Sequence, residues 1–192
     1  MIKFTVITCT YNAAGVVQPT LDSVRRQTWT QIEHLIIDGA SSDATVSLAD
    51  AYRRQSEEEE TEHDVRIMSE PDHGLYDAMN KGLRLATGDY VIFLNAGDTF
   101  PSDDTLETIS NDVNERSDGK LPAVLYGDTD IVDATGNVLH PRRLAPPDNL
   151  SWRSFRHGML VCHQAFYART DIARAEPYDL SYRFSADVDW CI

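Results

Sequence analysis

The sequence predicts an α/β domain: a mainly parallel central sheet with helices on both faces, followed by a smaller mixed region. Three observations carry that expectation. Between Lys3 and Leu94, β-branched or apolar runs alternate with segments of helical period, as in strand–crossover–strand units. The run Val91-Ile92-Phe93-Leu94 has no polar member, which suits a central strand covered on both sides. Each of four strands then breaks into a short polar group, and the carboxyl ends of strands are where open α/β sheets place their ligands.

Residues 3–8, KFTVIT, read as the first strand, and YNAAG as a turn whose chemistry comes from Asn12 and Gly15. A helix over 16–27 tolerates Pro19 because it lies near the first turn. Residues 32–37, IEHLII, form the second strand, cut off by DGASSDAT, and Asp43 can cap a helix over 44–55. The acidic run from Glu57 to Glu60 reads as a solvated loop. A third strand spans 65–68, SEPDHG turns the chain, and a helix over 75–86 puts Leu75, Met79, Leu83 and Ala86 on one face. On that helix Asp77 and Lys81 stand four apart, the spacing of a surface ion pair. The fourth strand covers 90–94.

The second half is less regular. A helix is predicted near 103–113, and AVLYGDTDIVDATGNVLHP reads as a hairpin about Thr135-Gly136-Asn137. Pro141, Pro146 and Pro147 break the next stretch, and a last strand is expected over 164–167. His163, at its opening, reads as a buried, hydrogen-bonded histidine. In SADVDWCI a helix begins just as the chain stops, so the product reads as truncated.

The 192 residues suffice for one domain with a real core, and 17 Lys plus Arg against 31 Asp plus Glu give a net charge of -14. That balance argues against nucleic acid as a partner, because phosphates need a basic face. Three scattered cysteines, Cys9, Cys162 and Cys191, suit buried thiols in a reducing compartment rather than disulfides or a zinc site. With no signal-like leader and no apolar run long enough to cross a bilayer, the expected location is the cytoplasm.

The strand-end groups are Thr8 to Asn12, Asp38 to Asp43, Glu70-Pro71-Asp72, and Asn95-Ala96-Gly97-Asp98. In a parallel sheet they line one crevice. The crevice has neither a dinucleotide glycine fingerprint nor a P-loop, and its carboxylates suit a diphosphate only with a divalent cation between them. Mg2+ and Mn2+ often bind through one or two carboxylates plus substrate phosphates, which makes Asp98 the metal-ligand candidate.

The stretches TVITCTYN, IIDGASSDAT and EPDHGLYDAMNKGLRLATGDYVIFLNAGD resemble the nucleotide-sugar domain of family 2 glycosyltransferases, the inverting group with the GT-A fold. The similarity runs from Ile2 to Asp104 and resumes at CHQAFYAR and FSADVDW. It implies a nucleotide-sugar-binding half at 1–104 and an acceptor-side half of the same domain at 105–192. Carried onto this sequence, it implies that Thr10 and Asn12 edge the nucleotide pocket and that Asp38 contacts the base. Asn80 and Lys81 would lie near the diphosphate. Asp98 matches the last carboxylate of the family's D-x-D metal motif; Asn95 and Gly97 stand where aspartates are usual, and Asn95, Ala96 and Gly97 would bind the nucleotide sugar. Asp187 falls at the general base, with Asp189 as the competing candidate. The implied activity is transfer of a sugar from a UDP- or GDP-linked donor to a hydroxyl of a polysaccharide or glycolipid. The alternative is a non-catalytic nucleotide-sugar-binding module partnering another transferase. Relatives often use lipid-linked acceptors, which admits peripheral association at the inner membrane face, although no basic amphipathic helix is visible. The oligomeric state stays open.

Overall fold

In the computed structural model, residues 1–59, 61–116, 119–133 and 135–192 are described. Glu60, the end of the acidic run, lies outside them. Strands β1 (Phe4–Thr10), β2 (Ile32–Asp38), β3 (Asp64–Ser69) and β4 (Tyr90–Phe93) pair in parallel in the order β3-β2-β1-β4. Their crossovers are α1 (Val17–Arg25), α2 (Thr45–Glu58) and α3 (Leu75–Leu85). Parallel pairing follows from the crossovers, since each helix returns the chain to the same end of the sheet. Every residue of β1, β2 and β4 is buried, as the absence of alternation in their apolar runs requires.

One sheet face carries Ile7, Cys9, Leu35, Ile37, Val91 and Phe93 against Met79 and Leu83 of α3. On the other, Phe4, Val6, Tyr90 and Ile92 meet Val24 of α1 and Leu106 and Val113 of α4 (Thr105–Arg116). Leu75, expected on the buried face of α3, is 46% exposed instead and lines a cavity described below.

The second half extends the same sheet. Strand β8 (Phe166–Arg169) pairs antiparallel with β4, and β5 (Val124–Tyr126) antiparallel with β8. The stretch read as one hairpin is therefore divided. Its first strand joins the main sheet, and only β6 (Asp130–Val132) and β7 (Val138–Pro141) form the hairpin. The last strand starts later than expected because His163–Ala165 makes a 3-10 turn before it. Two short helices, α5 (Thr170–Ala175) and α6 (Ala186–Trp190), follow β8. Glu57 and Glu58 close α2 rather than forming a loop. No helix among the described residues is long and apolar enough to cross a membrane.

A buried polar chain ties the central strands to α2. Thr8 Oγ1 donates to Leu94 O (2.8 Å) and so accepts from His34 Nε2 (2.9 Å), which leaves His34 Nδ1 to accept from Tyr52 OH (2.7 Å). Neutral imidazole satisfies every member, and burial, with His63 nearby, holds the His34 pKa down at about 3. A protein that refuses this proton while its unfolded chain accepts it loses stability as pH falls from about 6.5 toward 3. Urea unfolding between pH 7 and pH 5 should show this slope, at most about 1.4 kcal/mol per pH unit per proton, and His34→Gln should remove most of it. Burial also depresses His63, which supplies the remainder.

Candidate functional site

The four polar groups do converge on one edge of the sheet, in two neighbouring sites. At the ends of β1, β2 and β3 a cavity of about 530 Å3 is lined by Cys9, Tyr11, Gly39, Pro71, Asp72 and Leu75, among others. Behind Thr10 and Gly39 of its wall lies a locked carboxylate. Asp38, 1% exposed, accepts from Thr10 Oγ1 (2.9 Å), Ser41 N (2.8 Å), Ser69 Oγ (2.7 Å) and Ser41 Oγ. Burial alone would raise this carboxyl, but the hydrogen bonds, from Ser41 above all, hold it below its ordinary range.

Asn12, in the left-handed region at φ 48°, laces the first loop to the second. Its Oδ1 accepts from Ser42 N (2.9 Å), and its own N–H donates to Ser41 Oγ. Gly39 lets the loops after β2 and β3 approach closely, since a Cβ there would lie 2.5 Å from Asp72 Oδ2 and displace that side chain. Asp43 does serve the start of α2, one residue before the cap position: its carboxylate accepts from Thr45 N (2.9 Å) and from Ala14 N (3.0 Å).

Lys81 lies at this rim but not in the expected pair. Its Nζ donates to Pro71 O (2.7 Å) and meets Glu70 Oε1 at 2.9 Å, while Asp77 turns back to accept from His73 N (3.0 Å) at the start of α3. Asn80 is not brought to the opening. It is 6% exposed, and its amide exchanges two 2.9 Å hydrogen bonds with the backbone of Tyr178.

The second site lies at the end of β4. Gly97, at φ +104°, allows the sharp turn, and its N–H donates to Thr20 Oγ1 of α1 (2.9 Å). Ala96 packs against the apolar cluster of Val17 and Leu21 rather than facing out. Asp98 is half-buried, and one carboxylate oxygen accepts from Gln164 Nε2 (3.0 Å). Burial pushes Asp98 above the ordinary carboxylate range, with Gln164 and His163 opposing the shift only in part. Beyond Asp98 and Gln164 a second cavity, also about 530 Å3, runs between α4, β5 and the hairpin, past Tyr126, Asp128 and Arg142.

The preceding residue, His163, faces elsewhere. Its Nε2 lies 2.9 Å from Asn95 Nδ2, and its Nδ1 lies 3.7 Å from Asp187 Oδ2 on α6. Tyr76 OH donates to the other Asp187 oxygen (3.3 Å). The imidazole 3.7 Å away holds Asp187 below the usual carboxylate range, outweighing burial, and Tyr76 adds to the effect. Asp189 is exposed, whereas Asp187 is half-buried against Tyr76 and His163.

Among the described residues no group of three or more His, Cys, Asp and Glu comes together to hold a metal. Asp98 fits a different arrangement. A half-buried carboxylate with one oxygen free of protein donors can add one hard ligand to a cation held mainly by phosphates.

Sequence reasoning missed four residues as site members: Tyr11, Asp72, His163 and Gln164. Tyr11 and Asp72 stood inside strand-end groups, and the 69% exposure of the Tyr11 ring on a cavity wall is what marks it. His163 and Gln164 stood in a segment read as a strand opening, where the resemblance resumes at CHQAFYAR and implies the acceptor side; their partners, 68 and 66 positions away in the chain, give each its place.

The model of the family described as "Glycosyl transferase family 2" matches residues 5–174. A "PGL/p-HBAD biosynthesis glycosyltransferase" of Mycobacterium bovis is 34% identical over 190 residues, covering 98% of this chain and 68% of the relative. The "Amylovoran biosynthesis glycosyltransferase AmsB" of Erwinia amylovora is 28% identical, covering 100% and 63%. Among solved structures, S. aureus TarS in complex with UDP-GlcNAc superposes with a TM-score of 0.77 at 19% identity, over 99% of this chain and 52% of that one. The mannosyltransferase PcManGT from Pyrobaculum calidifontis, in complex with GDP-Man and Mn2+, gives 0.59 at 21%, over 93% and 48%. The chain thus spans about two thirds of the length of the mycobacterial relative and about half that of the solved structures. At such identities the structural likenesses show the fold, which is of GT-A type. With most of its length matched by the family model, the chain belongs to glycosyl transferase family 2.

Proposed function

We propose that the chain transfers a sugar from a UDP- or GDP-linked donor to a hydroxyl of a saccharide or glycolipid acceptor, with inversion at the anomeric carbon. One observation carries this reading: the turn His163-Gln164 holds two carboxylates, Asp98 through Gln164 and Asp187 beside His163, at the open edge of the sheet. A single displacement needs one group on the departing diphosphate and another on the attacking hydroxyl.

In this reading the donor base lies on the Tyr11 ring in the first cavity, above the Thr10, Asn12 and Asp38 network. The loop from Asn95 to Asp98 takes the diphosphate end, with Lys81 at the rim. A divalent cation, Mn2+ or Mg2+, would be held by Asp98 and the donor's own phosphates, and would offset the charge growing on the leaving diphosphate. Asp187, kept ionised by its neighbours, accepts the proton of the acceptor hydroxyl as the oxygen attacks.

Thermal-shift screening of UDP- and GDP-sugars with and without Mn2+ tests the donor step, because a ligand of the folded state raises Tm. Tyr11→Ala should weaken the active donor by about 1–3 kcal/mol, the value of one base–aromatic stack. An unchanged affinity would remove the base from this cavity. The presence of one carboxylate, Asp98, where the family motif has more also favours a second reading, a non-catalytic binding module. Slow hydrolysis of the bound nucleotide sugar separates the two, since a pure binder should show none.

A further inference from the structure

We propose that His163 is the positioning residue for Asp187, with its hydrogen on Nδ1, and that Asn95 fixes this arrangement from the end of β4. The functional part of this inference rests on the transferase reading above. The arrangement of hydrogens does not.

The argument runs from charge. Asp187 is held below the ordinary carboxylate range, so the groups beside its oxygens are favoured as donors. Tyr76 OH donates to one oxygen, and His163 Nδ1 lies 3.7 Å from the other, near enough that a hydrogen there is favoured over a lone pair. A neutral imidazole that keeps its hydrogen on Nδ1 presents a bare Nε2, which must then accept. Asn95 supplies the donor, with Nδ2 at 2.9 Å. The cost of this choice is visible, because Asn95 Oδ1 is buried without a hydrogen-bond partner. Turning the amide over would satisfy that oxygen only if the hydrogen moved to Nε2, and Asp187 would then face a lone pair. With the hydrogen kept on Nδ1 for the carboxylate beyond the imidazole, the amide must offer its N–H to Nε2, and Asn95 Oδ1 is left without a partner.

This arrangement gives Asn95 a role other than that of a worn metal ligand. Aspartate at position 95 would demand a hydrogen on Nε2 and compete with Asp187 for it. Asparagine allows the imidazole to serve Asp187 alone. It also mechanically joins α6, which carries Asp187, to the loop that carries Asp98, through one side chain of the intervening turn. Asp187 is thereby held by Tyr76 of α3 on one side and by the turn on the other.

Long-range 1H–15N spectra of imidazole-labelled protein, with no metal added, read the hydrogen directly. The wild type should show His163 as the Nδ1–H tautomer. In Asp187→Ala the hydrogen should move to Nε2, because Asn95 Oδ1 then gains a partner. A wild-type Nε2–H tautomer, or a tautomer indifferent to Asp187→Ala, overturns the proposal.

Kinetics test the positioning role, using hydrolysis of UDP-GlcNAc and GDP-mannose as probes. His163→Ala and His163→Gln should lower kcat by about 10–100-fold with donor KM within about threefold. His163→Asn, whose amide sits near the former Nδ1, should keep kcat within about fivefold of wild type. Wild-type kcat in all three variants, or an Asn variant as slow as Ala, overturns the role. If the wild type turns over neither probe nor any nucleotide sugar that raises its Tm, the transferase reading fails, and the tautomer pair alone decides the arrangement.

Discussion

Replacing Asp187 by Asn should cut sugar transfer by about 10²–10⁴-fold while leaving nucleotide-sugar affinity within about threefold. The substitution keeps the side chain's size and its acceptor for Tyr76 OH, but removes the lone pair that takes the acceptor's proton. Because the group sits on α6 and not on the wall of the cavity assigned to the base, donor binding has no reason to change. The control is Asp189→Asn, two residues on, where the side chain is exposed and transfer should stay within about threefold of wild type. Initial rates with calorimetric donor affinities check both. If the Asp189 variant is the dead one, the base is misassigned.

The difference in burial between Asp187 and Asp189, which their spacing alone does not give, shows where sequence legibility ended. The parallel half was readable because each strand declares itself locally, by an apolar run and a polar stop. The antiparallel edge was not: β5 and β8 have only three and four residues, and their places depend on pairing with β4 and with each other rather than on any period. The same division runs through the site. Thr10, Asn12 and Asp38 were legible as strand-end polar residues, yet nothing in the sequence says that Asp38 would be spent on Ser41 and Ser69. Lys81 looked like the partner of Asp77, four residues away, but it is 9% exposed and reaches Glu70 and Pro71 instead. Asn80 matched a functional position and turned out to pin the segment at Tyr178. Residue type and local spacing identify a polar cluster. Which carboxylate in it is free for chemistry is settled by how many donors the fold has already given to each, and those donors come from distant parts of the chain.

By that measure Asp98 stands apart from Asp38. Asp38 accepts four hydrogen bonds and is held below its ordinary range, whereas Asp98 accepts one and is pushed above it. A carboxylate short of compensation gains most from a cation, and a cation gains most from a ligand not already engaged. Asp98→Ala should therefore abolish the part of donor affinity that depends on Mn2+, at least about tenfold or about 1.4 kcal/mol, and leave the metal-independent part intact. Wild type measured in EDTA should match the variant measured in Mn2+. Asn95→Ala should change donor affinity by no more than about threefold, since its amide nitrogen serves His163 and a carbonyl oxygen is the weaker contact to a cation. Asp98→Asn, which can keep the Gln164 hydrogen bond, separates the charge from the contact: it should behave like Ala in the metal titration and like wild type in thermal unfolding. An Asp98→Ala protein whose donor affinity still rises with Mn2+ would place the cation elsewhere, and Asp98 would then be a half-buried carboxylate anchoring the turn through Gln164.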